Sequence, residues 1–275
     1  MNSIQEARSL LSETAFRLAG EVDFPVSVRV ICSSLNVGIR RRAAVKAALL
    51  VNAGSAPEVL LPATQIENKS VFATKRGDLP YPRTVKESWE RYLVAHELGH
   101  YILHCAKQGS PLGNSEYWVY EELCDSFARW LLLPQKAFEK WYSRRLASLR
   151  KVSPDAWARF SLVLSRELQT AARVPWWVAA ARLSEHSARL AFLGIRDHDT
   201  TRLRVTASTF DRRKEIGRLI LKSSGLGCIL SRPCKTRITS ICPELFVGFQ
   251  SGPIISAAAA ERTASGHWHL ALSLK

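Results

Sequence analysis

The sequence predicts an α+β protein in three parts: a mainly helical core over residues 1–134, a basic helical module over 135–194 and a small α/β domain over 195–275. Three observations lead there. Apolar residues recur at helical spacing through residues 3–19, from Trp89 to Leu103 and from Phe127 to Leu132. After Ile195 the pattern turns to short alternating runs such as Leu203-Arg204-Val205-Thr206. Charge is also uneven: residues 1–125 carry 14 basic and 14 acidic side chains, whereas residues 126–222 carry 20 and 8, net +12 of the total +15. A hydrophobic fraction of 47% is that of a globular chain with a real core.

In chain order, Ile4, Ala7, Leu10, Leu11, Ala15 and Leu18 make one helical stripe, which Gly20 stops. Pro25 to Val37 is open between strand and helix, because Val26, Val28 and Val30 alternate. Arg40-Arg41-Arg42 reads as a solvated face. Ala44–Val51 and Glu58–Leu61 read as two strands around Asn52-Ala53-Gly54-Ser55, and residues 73–83 as a polar loop. Thr84 or the residues just after it cap a helix that carries Trp89, Leu93, Leu98, Ile102 and Leu103. Gly109–Gly113 is a loop, and a second helix with acids at its start follows. Pro134 opens a third. Residues 153–172 are a helix capped by Ser153 with Pro154 at its first position, and Trp176–Leu183 follow after a short break at Val174-Pro175. Arg212–Lys222 reads as a helix, with strands at Gly227–Leu230, Leu245–Phe249 and His267–Leu272.

The run His96-Glu97-Leu98-Gly99-His100 is H-E-x-x-H on a helix. Residues four apart share a helical face, so His96 and His100 can hold one metal ion between them, with Glu97 beside the open position. The site needs a third ligand. Leu103 and Ala106 stand where a metzincin has glycine and its third histidine, which excludes that solution. The other common solution is a glutamate on a later helix. Glu121 and Asp125 are four apart and share a face, so Glu121 can bind metal while Asp125 accepts the free N–H of a ligand histidine. Glu122 points about 100° away. His104 has rotated about 80° from His96 and reads as structural rather than as a fourth nitrogen. Tyr101, Tyr117 and Tyr120 are candidates to stabilise an oxyanion, and sequence does not choose between them. Zinc suits two imidazoles, one carboxylate and a water, one ion per chain, and manganese can replace it in activity.

The runs Arg91-Tyr92-Leu93-Val94-Ala95-His96-Glu97-Leu98-Gly99-His100-Tyr101-Ile102-Leu103-His104 and Glu121-Glu122-Leu123-Cys124-Asp125-Ser126-Phe127-Ala128-Arg129-Trp130-Leu131-Leu132-Leu133-Pro134 resemble the core of the ImmA/IrrE-type metallopeptidases. That family pairs A-H-E-L-G-H with a glutamate helix ending in a Leu-Leu-Met-Pro-like stop. Here Asp125 replaces the usual asparagine and Leu133 the usual methionine, the first keeping a hydrogen-bond acceptor and the second an apolar residue. The resemblance is strong over 91–134 and extends back toward Pro25, a stretch that is helical in the family. It implies a minimal gluzincin-like core, with metal ligands His96, His100 and Glu121 and with Glu97 as general base. It implies an endopeptidase that cuts a helix-turn-helix transcriptional repressor inside bacterial cells, under stress or in mobile elements. It also implies a helix-turn-helix-like module after the core and, in longer members, a GAF-like sensor domain at the C-terminus.

Two rivals from other classes stand beside this one: a DNA-binding regulator whose metal site is sensory or vestigial, and a toxin partner that acts by binding alone. The basic segment 126–222 suggests contact with DNA or with an acidic protein face, against a plain solubility role. The N-terminus lacks a basic-then-apolar leader and no apolar run approaches about 20 residues, so the expectation is a cytoplasmic protein with no membrane span. The six cysteines show no C-x-x-C pair and read as reduced thiols. A second zinc site from Cys228, Cys234 and Cys242 with His267 or His269 has little to support it.

Overall fold

A computed structural model describes residues 4–45, 47–51, 55–63, 83–106, 114–147, 153–187, 190–199, 202–208, 239–241, 255–262 and 267–274. The chain forms two compact units. One holds Met1–Arg144 with Thr170–Pro175, and the other holds Arg145–Gln169 with Trp176–Lys275. The fold is mixed α+β.

The first unit begins with α1 (Ile4–Ala19), whose Ala7, Leu11 and Ala15 are fully buried. Gly20 ends it at φ +58, with its N–H on the Phe16 carbonyl at 2.9 Å, the left-handed stop that glycine makes without strain. Then comes α2 (Val28–Ser34). The helix wins over the strand because it buries Val28, Ile31 and Cys32 on one face and leaves Val30 outside. The arginine run forms an unforeseen strand, β1 (Gly38–Arg42), with its arginines exposed. It pairs in parallel with β3 (Glu58–Pro62), and β2 (Leu49–Val51) pairs antiparallel on the other side, giving the order β1-β3-β2. The second of the two expected strands is therefore the centre of a three-stranded sheet. The turn at 52–54 and the loops at 73–82 and 109–113 lie outside the described residues.

Two long helices build the centre of this unit: α3 (Arg83–Cys105) and α4 (Asn114–Leu132). They pack on each other, with α1 against α4, around Ala95, Leu98, Phe127, Ala128 and Leu131. α4 starts seven residues before Glu121, so Glu121, Glu122 and Asp125 sit mid-helix rather than at its start. α5 (Gln135–Leu146) follows, and the Pro134 carbonyl accepts the Phe138 N–H at 2.9 Å, which makes Pro134 the cap just ahead of the helix.

Most of α6 (Pro154–Ala172) belongs to the second unit, with α7 (Trp176–His186). Ser153 caps α6, its Oγ accepting the Ala156 N–H at 3.3 Å. The break before α7 turns on Arg173 at φ +51. α7 is mostly buried through Trp176, Val178, Ala179, Ala180, Arg182 and Leu183. Beyond it lies an antiparallel sheet of β4 (Leu190–Asp199), β5 (Arg202–Ser208), β6 (Thr239–Ile241), β7 (Ile255–Arg262) and β8 (His267–Leu274). Their order is β5-β4-β8-β7-β6. β4 begins five residues before the expected change at Ile195. β7 buries four consecutive alanines, Ala257–Ala260, so its sequence has no alternation to read. The expected helix at 212–222 and strands at 227–230 and 245–249 lie outside the described residues. Among the described residues no helix is long and apolar enough to cross a membrane.

Candidate metal centre

The site is built where α3 and α4 cross. Arg91 ties down the helix one turn before the histidines: its guanidinium donates to the carbonyls of Ala172 (2.9 Å), Arg173 (3.0 Å) and Val26 (2.6 Å). Closeness of the two helices depends on Gly99. A Cβ there would lie 3.1 Å from the Cys124 Cα and 3.2 Å from its Sγ, closer than most real Cβ contacts, so glycine favours this close approach of the backbones.

That approach brings His96, His100 and Glu121 together, with one ligand atom from each lying within 4.8 Å of the others. The Nε2 atoms of His96 and His100 are 3.2 Å apart. Glu121 Oε2 is 3.2 Å from His96 Nε2, and its Oε1 is 3.4 Å from His100 Nε2. Donors held about 2.0–2.1 Å from a tetrahedral ion stand roughly 3.3–3.4 Å from each other, so the group is spaced to hold a metal ion. All three side chains are partly exposed, which leaves the site open on one side.

The surrounding hydrogen bonds aim the donors. Asp125 Oδ1 lies 2.8 Å from His96 Nδ1 and also accepts the Tyr92 hydroxyl. An Nδ1–H donated to a carboxylate turns the Nε2 of His96 toward the ion. Burial opposes charge on His96, yet its hydrogen bonds to Asp125 and Glu121 outweigh that and raise its pKa to about 10 in the metal-free site. The same contacts, from His100 and then His96, hold Glu121 well below the ordinary carboxylate range. Cys124 is fully buried behind His100, with Sγ 3.4 Å from Nδ1. Burial, then the nearby carboxylates, push its thiol far up.

Glu97 is 8% exposed, an unusual burial for a carboxylate. Its Oε2 accepts the Leu50 N–H at 2.9 Å, which brings β2 against α3.

Other candidates fall elsewhere. Glu122 and His104 are exposed and outside the donor group. Tyr101 and Tyr120 are half-buried, and the Tyr117 side chain lies outside what is described. Cys105 is exposed and Cys124 is not among the donors. Of the second zinc site, the three cysteines lie outside the described residues, while His269 stacks on Trp176 at 3.7 Å and 5°. Tyr92, Cys124 as a partner of His100, and the Leu50 amide were not foreseen in these roles. Tyr92 stands four before His96 and Cys124 three after Glu121, so helical spacing holds the signal for both. The Leu50 contact spans 47 residues and has no local signal.

Fold and donor set together define a mixed α+β protein able to bind a metal ion through two histidines and a glutamate. No family model and no curated protein matches the chain. Among solved structures it is similar to a Mycobacterium tuberculosis transcriptional regulator, with 13% identity and a TM-score of 0.52 over 98% of this chain and 81% of that one. That likeness is one of fold.

Proposed function

We propose that this chain is a zinc metallo-endopeptidase of the ImmA/IrrE type, with a minimal gluzincin-like core, that cuts a helix-turn-helix repressor in the bacterial cytoplasm as part of a stress or mobile-element response. The observation that carries this reading is Glu97. It is a buried acid next to a metal-ligating histidine, held by a backbone amide. A purely structural metal site has no use for such a group.

His96, His100 and Glu121 would hold the ion. When bound, it supplies Lewis acidity to a water molecule and to the scissile carbonyl. Glu97 takes the water proton and passes it to the leaving amine. The Leu50 amide fixes one Glu97 oxygen, so the other is the one that moves the proton. Asp125 keeps His96 in the tautomer that presents Nε2. No covalent intermediate is needed, so no serine or cysteine nucleophile is invoked.

Glu97→Gln is the test. It keeps size and loses the base, so zinc content and fold should match the parent while cleavage of a co-expressed candidate repressor falls by about 10²–10⁴. Cleavage at the parent rate would remove Glu97 from the mechanism.

A second reading, a DNA-binding regulator with a sensory or vestigial metal site, is favoured by the likeness in fold to a transcriptional regulator and by the net +12 of residues 126–222. Burial of α7 argues against that helix entering a DNA groove. Under this reading DNA binding persists, and no repressor is cut even with zinc at one per chain.

A further inference from the structure

The two ligand histidines are held by partners of unequal strength. His96 gives its Nδ1 to Asp125 at 2.8 Å, a carboxylate that the Tyr92 hydroxyl also holds. His100 turns its Nε2 toward His96 and Glu121, so its Nδ1 faces the opposite way, into α4. What it meets there is the Cys124 sulfur at 3.4 Å. That distance lies within the 4.0 Å reach of a hydrogen bond to sulfur. The backbone favours the contact: Gly99, beside His100, lets Cys124 in so far that a methyl group at 99 would crowd its Cα, Cβ and Sγ at 3.1–3.2 Å. Cys124 itself has no exposure to solvent.

We propose that Cys124 is the positioning residue of His100: its sulfur accepts the Nδ1–H and fixes the tautomer that offers Nε2 to the metal. This rests on the metal-centre reading above. A thiol is a weak acceptor. His100 is therefore the more loosely held of the two histidines, and the centre is asymmetric by construction.

Zinc affinity, measured by competition with a chromophoric chelator on the full chain, tests this beside long-range proton–nitrogen spectra of the zinc-bound His100 ring. Cys124→Ala should bind zinc about tenfold more weakly, the lower end of what losing an orienting partner costs. Its His100 Nδ1–H should exchange rapidly with solvent. Cys124→Ser restores an acceptor and should recover most of the affinity and the slow exchange. Circular dichroism of both metal-free variants checks the fold, and the serine variant carries the test should alanine fail to fold. Parental affinity and slow exchange in Cys124→Ala would overturn the role. So would an equal loss of affinity in both variants with the Nδ1–H still slow, which would make Cys124 a packing residue. A parent chain that binds no zinc fails the metal centre itself, a different outcome from either.

Discussion

Among the three donor side chains only Glu121 brings a formal negative charge to the ion. Removing a ligand costs more than removing a ligand's partner, which costs about 10–100-fold. Glu121→Ala should therefore lower zinc affinity more than about 100-fold, read by dialysis and metal analysis. Full zinc in that variant would move the third ligand to Glu122 or His104, although both lie exposed and outside the group. Protons set a second expectation. In the metal-free site the pKa of His96 is raised from 6.5 to about 10. The stability from its pairs with Asp125 and Glu121 is thus complete below about pH 6.5 and lost as pH rises through about 10. At neutral pH both ring nitrogens carry protons, and metal needs the Nε2 lone pair. Zinc binding should release about one proton from His96 near pH 7.5, seen as a dependence of the calorimetric heat on buffer ionisation enthalpy. No dependence on buffer would mean that His96 is already neutral.

At the scale of elements, the crossing of α3 and α4 decides whether the donors meet. Gly99→Ala puts a Cβ 3.1 Å from the Cys124 Cα, a backbone atom that cannot swing aside. The crossing has to give by a few tenths of an ångström, an overpacking expected to cost roughly 1–3 kcal/mol of stability, which a denaturant melt of the metal-free protein should show together with weaker zinc binding. A variant as stable as the parent would mean that the crossing adjusts freely. What sequence could read here was whatever repeats at helical spacing. His96 and His100, like Glu121 and Asp125, are separated by one turn, so helical periodicity alone places each pair on a face. Contacts across the sheet were beyond reach. β1 hid behind three arginines, because an exposed strand beside a buried one needs no alternation of its own. β7 hid because four buried alanines read as neither period. Leu50 met Glu97 only through tertiary packing.

For the whole molecule, the distribution of charge raises the clearest question. Residues 1–125 are neutral and residues 126–222 carry net +12. Among the described side chains of the second unit, Arg145 at the end of α5 and Arg159 and Arg166 on α6 are exposed, while Arg182 of α7 is buried and paired with Glu185 at 3.2 Å. If the basic segment meets phosphate, the full chain should bind duplex DNA at about 50 mM salt and lose most of that affinity by about 200 mM, since each neutralised phosphate releases counterions. Titration by fluorescence anisotropy at the two salt concentrations decides it. Absence of binding at low salt would leave the charge as a solvated surface.

The Leu50 amide has a consequence beyond chemistry. Antiparallel pairing alternates, so of the three β2 residues only Leu50 turns its N–H away from β3. With that donor taken by Glu97, the free margin of β2 presents a lone carbonyl and cannot nucleate a ladder. On the far margin Arg40, Arg41 and Arg42 stand exposed along β1, with Arg40 and Arg41 each paired to a glutamate. Over its described residues, both borders of the small sheet are thus closed to a strand from another copy, which guards this sheet against self-templated aggregation.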